Sequence, residues 1–485
     1  MVLSGLVERY RHVVAIVTGD LRRYRRASEE LKTALCLTPL AVMLPATLYY
    51  LRVLQDLTLL PILGLSLGLA AWARVIDTVA SLSSFRRKLD EELPFYTLTA
   101  VAVSRTGLEP VELLKFLSES RVLNAFRELG RRFWSFSEVF GSSEGLSMLS
   151  RLAGGRVRLF LTEYASALSS GTALQHLRDR VADFVRSASL DVERSLWGRM
   201  TVAVITSTFF GVAPVILISV TFLYTASLDE VQEPQPAIQA LAPAIAGVSA
   251  LLAVVLPGYP LAAQVVVERR TLRRYYLLLC VGMASLALPP VLLSQRLVGL
   301  ESFRELALQS SSVAAVLGVP PFIQVFKALT TGVDGLVEEM AQHVRVYRSM
   351  HLFRSGRLEE LARKSVRPWL IDYLSESAEF FRVVGDVDPQ VFDVFVMFVS
   401  EMRRALRKAM THILFMLAVT LITPILSTTT MSLGGGLGVA KEVLLVGYVS
   451  ALGFGCVAGK IALGRNVSTL MPGLAIMLYS LTLPA

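Results

Sequence analysis

Long apolar stretches alternate along this chain with two polar segments. Most apolar stretches are roughly 18 to 25 residues long, which is the length that an α-helix needs to cross the hydrocarbon core of a bilayer. They predict nine transmembrane helices, near residues 34–51, 57–73, 200–224, 238–256, 275–293, 306–326, 411–433, 443–458 and 467–483. The pattern therefore predicts an all-α polytopic membrane protein with about nine transmembrane helices and two cytoplasmic helical modules.

The same pattern divides the chain into six parts. The N-terminal part mixes valines with arginines, which is typical of a basic amphipathic helix on the cytoplasmic face, although a solvated leader would also fit. The parts are a basic N-terminal segment (1–33), a transmembrane hairpin (34–81), the first cytoplasmic helical module (82–197), transmembrane helices three to six (198–331), the second cytoplasmic helical module (332–409) and transmembrane helices seven to nine (410–485).

Charge at the ends of the apolar stretches predicts the orientation. Residues 225–237 contain acidic residues and no basic one, whereas residues 268–274 contain four arginines. Cytoplasmic loops carry the excess of Lys and Arg, so the N-terminus and both modules are predicted to be cytoplasmic. The stretch 306–326 contains Pro320 and Pro321 and is the weakest predicted span. It is counted because residues 332–409, which are rich in arginine, would otherwise face outward.

Helix signals predict the local structure of the first module. Pro94 follows the acidic run 90–92 and is predicted to lie in the first turn of a helix that ends at Gly107. A second helix is predicted to begin at Pro110. Thr172 has the spacing of a capping box, so a third helix is predicted to follow it.

Composition supports a membrane protein and offers little for catalysis. The chain has 485 residues, of which 53% are hydrophobic and 18% are charged. The net charge of +9 is concentrated near the ends of the apolar stretches, which indicates topology rather than a nucleic-acid groove. Three cysteines without CxxC spacing and five histidines without ligand spacing predict no disulfide framework and no metal site. We therefore expect no catalytic residue, no cofactor and no enzymatic activity.

A membrane transporter or permease is the alternative class. Ion-coupled transporters usually need ionisable side chains at membrane depth. The predicted spans that begin at residues 200, 238, 275, 443 and 467 have none in their interiors. The sequence therefore disfavours a transporter, and a solute-flux assay would separate the two classes.

Two short motifs carry a resemblance to a known family. The first is Glu92-Leu93-Pro94-Phe95, with Gly107 and Pro110 downstream, and the second is Gly455-Cys456-Val457-Ala458-Gly459-Lys460-Ile461, followed by Gly464. With the repeated order of basic module and membrane helix, they resemble the platform proteins of type IV pilus, archaellum and type II secretion machines, in particular the archaeal branch of this type II secretion system F-like family.

The resemblance implies a non-enzymatic platform in the cytoplasmic membrane for the assembly of a filament. Its implied partners are a hexameric secretion ATPase, pilin-like subunits and the lipid membrane, with self-association left open. Basic surfaces of the modules would dock an acidic face of the motor. The residues expected to bind partners are Arg86, Arg87, Lys88, Glu92, Arg403, Arg404, Arg407 and Lys408. Basic residues beside a span also fix topology and contact anionic lipid, and an acidic residue such as Glu92 also stabilises a helix N-terminus.

Overall fold

The computed structural model describes most of the chain. The described residues are 7–8, 10, 28–35, 39, 59–104, 110–209, 245–249, 252, 256, 258–295, 297–408, 410–411 and 441–483. Of the described residues, 84% are helical and 2% are strand, which confirms the prediction of a mainly helical protein. Most residues of the predicted spans at 34–51, 200–224, 238–256 and 411–433 lie outside the described residues.

The chain divides into two compact units. The first comprises Met1–Thr97 and Glu109–Arg178, and the second comprises Leu98–Leu108 and Asp179–Ala485, so the division falls within two long helices. The helices of the first part of the chain are α1 (Leu59–Ala102), α2 (Pro110–Leu117), α3 (Asn124–Phe140), α4 (Ser142–Ala153), α5 (Gly155–Ser169) and α6 (Ala173–Ser207). The predicted helix starts at Pro110 and directly after Thr172 are confirmed.

The second unit continues with helices and one small sheet. After a short 3₁₀ turn at Leu261–Ala263 come β1 (Val265–Val267), α7 (Arg269–Ser294), α8 (Leu300–Thr330), α9 (Asp334–Tyr347), α10 (Gly356–Arg363), β2 (Val366–Pro368), α11 (Trp369–Val384), α12 (389–408), α13 (Lys441–Leu463) and α14 (Leu470–Thr482). Strand β1 pairs antiparallel with β2, and Val266 lies opposite Arg367. The prediction of an all-α chain missed this pair, although the run of three β-branched valines favours a strand.

Three stretches of the described residues are long and apolar enough to cross a membrane. They are Arg269–Leu293, Ser302–Tyr347 and Leu444–Leu463. The predicted span at 306–326 lies entirely within α8, which contains Pro320 and Pro321 without interruption. Helix α14 has only 13 residues, which at 1.5 Å per residue covers roughly 20 Å. The chain therefore has the character of a membrane protein, while the count of nine helices stays a prediction.

The predicted helix start at Pro94 is wrong. Pro94 lies inside α1, which runs without a break from Leu59 to Ala102. A proline inside a helix removes one backbone hydrogen bond, so neighbouring contacts must stabilise that turn. Leu93, Phe95 and Tyr96 are buried, and the Tyr96 ring stacks on Phe126 at a centroid distance of 4.5 Å. Burial of these side chains offsets the lost bond, and this packing was invisible in the local pattern.

Helix α14 packs closely against α8 and α13. The Ser468 hydroxyl donates to the Gly318 carbonyl at 2.7 Å, and the Tyr479 hydroxyl donates to the Leu444 carbonyl at 2.9 Å. Glycines at the contacts let the backbones approach, as in many membrane helix pairs. These contacts join the last predicted span, residues 467–483, to α8 and α13.

Candidate functional site

Two carboxylates of the acidic run on α1 bond to the starts of other helices in the first unit. The Glu92 carboxylate accepts the backbone N–H groups of Ala125, at 3.0 and 3.1 Å, and of Phe126, at 2.9 Å, at the start of α3. Asp90 accepts the N–H groups of Arg156 and Val157, at 3.0 and 3.2 Å, at the start of α5. The sequence placed these carboxylates at the start of their own helix, whereas they cap the N-termini of two other helices.

Burial changes the acid–base properties of Glu92. Only 2% of this residue is exposed. Burial raises the pKa of its carboxyl group from 4.5 to about 7, although the hydrogen bonds from Phe126 and Ala125 and the charge of Lys88 oppose this shift. The described role of Glu92 is thus intramolecular, and its assignment to partner binding stays a prediction.

The three basic residues predicted to bind a partner in the first module differ in exposure. Arg87 and Lys88 are exposed, and Arg87 lies 3.5 Å from Glu91 in an ion pair one turn along α1. Arg86 is partly buried, with its side chain packed against Gly154 at the start of α5. The exposed pair can meet a partner directly, whereas Arg86 also supports the packing of α5 against α1.

The four basic residues predicted to bind a partner in the second module also differ in exposure. Arg404, Arg407 and Lys408 are exposed on α12, and the Lys408 ammonium lies 5.5 Å from the centre of the Trp197 ring. Arg403 is half-buried and forms an ion pair with Asp334 in the first turn of α9. Arg403 therefore joins α12 to α9, and the other three residues form the surface that a partner can reach.

Replacing Arg403 with alanine is expected to destabilise the second unit by about 1 kcal/mol, because a partly exposed ion pair at a helix N-terminus has that order of value. The purified chain in detergent would be unfolded by heat, with tryptophan fluorescence as the readout. The matched control is Arg404→Ala, one residue along and exposed, which is expected to leave the midpoint unchanged. Equal midpoints for both variants would contradict the structural role of Arg403.

A buried polar cluster lies at the end of α13, in the second motif of the sequence. The Tyr259 hydroxyl donates to the carbonyls of Ile461 and Ala462 at 3.1 and 2.9 Å, and Arg199 donates to the Ile461 carbonyl at 3.4 Å. The Arg199 guanidinium lies 4.1 Å from the centre of the Tyr259 ring. The cluster satisfies carbonyls that a helix C-terminus leaves without intrahelical partners.

The cluster accounts for the glycine that ends the motif. Gly464 has φ of +73°, and a side chain there would meet the Tyr259 ring, so glycine suits this turn on both counts. Lys460 is buried, with 8% of its surface exposed. Burial raises the pKa of Tyr259 to about 12 and lowers that of Arg199. Neither Arg199 nor Tyr259 was predicted from the sequence. The available signal for Arg199 is its position directly before the predicted span at 200–224, and for Tyr259 it is an aromatic residue that follows Pro257-Gly258.

The described residues show no metal-binding group. Among them, no cluster of three or more His, Cys, Asp or Glu side chains is placed to hold an ion. The first unit has carboxylates that cap helices and the exposed Arg87 and Lys88, and the second unit has a capped helix end and the exposed Arg404, Arg407 and Lys408. Such an arrangement can stabilise helices and make charge-assisted contacts with a partner.

Comparisons with known proteins find no match for this chain among protein-family models, curated proteins or solved structures. The resemblance to secretion platform proteins therefore stays a prediction that rests on residues 92–95 and 455–464 and on the order of modules and membrane helices.

Proposed function

We propose that this chain is a non-enzymatic platform in the cytoplasmic membrane that couples a cytoplasmic secretion ATPase to the insertion of pilin-like subunits into a type IV pilus-like or archaellum filament. It is a multi-pass protein whose N-terminus and two helical modules are cytoplasmic. It acts by transmitting movement and binding partners, with no cofactor.

The attachment of the second module to two candidate membrane helices carries this proposal. Strand β1 directly precedes α7, and β2 directly precedes α11 of the module. The Glu268 N–H donates to the Ser365 carbonyl at 2.8 Å, and the Trp369 N–H donates to the Gln264 carbonyl at 2.9 Å. The sheet and these bonds therefore fasten the module to the start of α7.

The second attachment is the junction of α8 with α9. Only three residues separate α8 from α9, and the ion pair between Asp334 and Arg403 holds the start of α9 against α12. A module fixed to the membrane helices at several points moves with them as a body. This is the mechanical property that a platform driven by a motor needs.

The distribution of exposed arginines supports a cytoplasmic module. Arg269, Arg270, Arg273 and Arg274 are exposed in the first turns of α7, next to the sheet. Basic residues are enriched on the cytoplasmic side of membrane helices. The second module is therefore expected on the cytoplasmic side, where an acidic surface of the motor can reach it.

Affinity capture of the tagged chain from native membranes in mild detergent tests the function. A secretion ATPase and pilin-like subunits are expected to remain bound, and reversing Arg404, Arg407 and Lys408 to Glu is expected to release the ATPase because it opposes charge complementarity. Arg403 stays unchanged in this variant, so that the contact with Asp334 is kept.

The control for this experiment is Arg363→Glu. Arg363 lies in the same module, and its side chain is 84% exposed. This control is expected to retain both partners. A wild-type preparation free of ATPase and pilin-like subunits, particularly one that moves solute in liposomes, would overturn the platform and favour the transporter.

A further inference from the structure

An exposed apolar patch lies at one corner of the second module. We call residues 346–354 and 382–388 the distal corner. Leu352, Val383 and Val346 are 80%, 78% and 73% exposed, and they are the three most exposed large hydrophobic side chains among the residues that the structure describes. Tyr347 beside them is 62% exposed. Isolated exposed apolar residues are ordinary, but a cluster of this kind marks an interaction site.

Backbone contacts make the distal corner one surface. Ser349 and Asp386 form an isolated antiparallel bridge, and the Val387 N–H donates to the Arg348 carbonyl at 3.2 Å. The Arg382 guanidinium donates twice to the Phe353 carbonyl, at 2.6 and 3.1 Å. The loops after α9 and α11 are therefore joined, so their apolar side chains are presented together.

The position of the distal corner argues against contact between its apolar side chains and lipid. Helix α9 begins three residues after α8, and α11 begins at the sheet that precedes α7. The distal corner lies at the opposite ends of α9 and α11, whose 14 and 16 residues correspond to roughly 21 and 24 Å of helix. The patch thus lies at the end of the module away from α7 and from residues 306–326 of α8, the predicted span.

The backbone at Arg348 is a second sign of function. Arg348 has φ of +52° and is the one non-glycine residue with positive φ among those described. It ends α9 in the left-handed conformation, where glycine is the usual residue and a side chain costs of the order of 1 kcal/mol. Backbone strain of this kind is common at functional sites, and here it carries an exposed guanidinium.

The charge of the corner identifies the kind of partner. Arg348 and Arg354 are exposed at its edge, and Asp386 is the one exposed carboxylate within its two segments. Tyr and Arg are also the residues that are enriched at the centres of protein interfaces. The complementary surface is apolar at its centre and acidic at its edge.

We propose that the distal corner is a docking surface for a partner protein whose contact face is apolar and edged by carboxylates. This inference rests on the proposed function, under which the partner is the secretion ATPase. The distal corner is separate from Arg404, Arg407 and Lys408, which are exposed at the other end of α12. The motor can therefore bind the module at both ends.

Binding between the purified chain in nanodiscs and the purified secretion ATPase from the same source tests the surface. The double variant Leu352→Glu with Val383→Glu is expected to bind at least roughly tenfold more weakly, since it places charge at the centre of the interface. Arg348→Gly is expected to bind more weakly while its melting temperature stays equal or rises, a combination that a purely structural arginine would not produce. The control Leu159→Glu alters a side chain of the first unit that is 64% exposed and is expected to bind normally.

The outcomes separate this surface from the proposed function. If the wild-type chain binds the ATPase and both corner variants bind equally well, the docking surface is overturned and the function stands. If the wild-type chain does not bind, both are overturned. A photo-crosslinker placed at Leu352 in native membranes is expected to capture the ATPase, and capture of a second copy of this chain would instead assign the corner to self-association.

Discussion

Replacing Glu92 with alanine is expected to destabilise the first unit by about 3 kcal/mol at pH 6. The substitution removes the acceptor for the N–H groups of Ala125 and Phe126 at a buried helix start. A buried donor without a partner costs about 1 to 3 kcal/mol, and two donors lose their acceptor together. The change also leaves a cavity beside Leu89 and Leu93, which are fully buried.

The matched variant is Glu92→Gln, which keeps a carbonyl acceptor of the same shape and is expected to lose much less stability. Hydrogen exchange of the amides of residues 125 and 126, in the full chain in detergent, is the direct readout. Exchange is expected to accelerate strongly in the alanine variant and weakly in the glutamine variant. Unchanged protection of both amides in Glu92→Ala would contradict the capping role.

Glu92 also gives the first unit a defined pH dependence. The carboxyl pKa is about 7 in the folded chain against an ordinary value of 4.5, so between these values the folded state holds a proton that the unfolded state has released. Stability therefore falls as the pH rises from about 4.5 to about 7, and the full loss is present above that window. In Glu92→Gln this part of the pH dependence is expected to disappear, which thermal unfolding across the window would detect.

Replacing Gly455 with alanine is expected to disrupt the packing of α13 against α14. A Cβ atom at this position would lie 2.7 Å from the Pro472 nitrogen and 2.9 Å from the Met471 carbonyl oxygen. Both neighbours are backbone atoms, which cannot move aside as the end of a side chain can. Overpacking of this kind typically costs about 1 to 3 kcal/mol, and the yield of folded protein is expected to fall with it.

The same motif supplies the control for this substitution. Gly459 lies one turn further along α13, and a Cβ atom there would be 3.7 Å from its nearest neighbour, the Met471 side chain. Gly459→Ala is therefore expected to fold and melt like the wild-type chain. Gel filtration and thermal unfolding in detergent would compare the two variants, and equal behaviour would show that the close approach at Gly455 is unimportant.

The sequence predicted those features that depend on neighbours along the chain. The helices that begin at Pro110 and after Thr172 follow from local signals at a helix start, and the apolar length of α7, α8 and α13 follows from composition. Mean hydropathy over a stretch needs no knowledge of packing. It therefore indicates a membrane helix well before the fold is known.

Features that depend on contacts between distant residues were missed. The acidic run 90–92 was correctly linked to helix N-termini, but the helices that it caps begin more than 30 residues later along the chain. Arg403 belonged to the predicted partner surface because it is basic and next to a predicted span, and only the fold placed Asp334 beside it. Likewise, the pairing of β1 with β2 joins segments about 100 residues apart.

The sequence by itself determined that this chain is helical, apolar enough for a membrane, and basic at the ends of its apolar stretches. The tertiary structure alone decided which polar groups are buried and which are offered to a partner. The reason is physical: periodicity and hydropathy are sums over local residues, whereas exposure depends on which segments cover one another. Glu92 and Leu352 show this most clearly, since the carboxylate is buried and the leucine is 80% exposed.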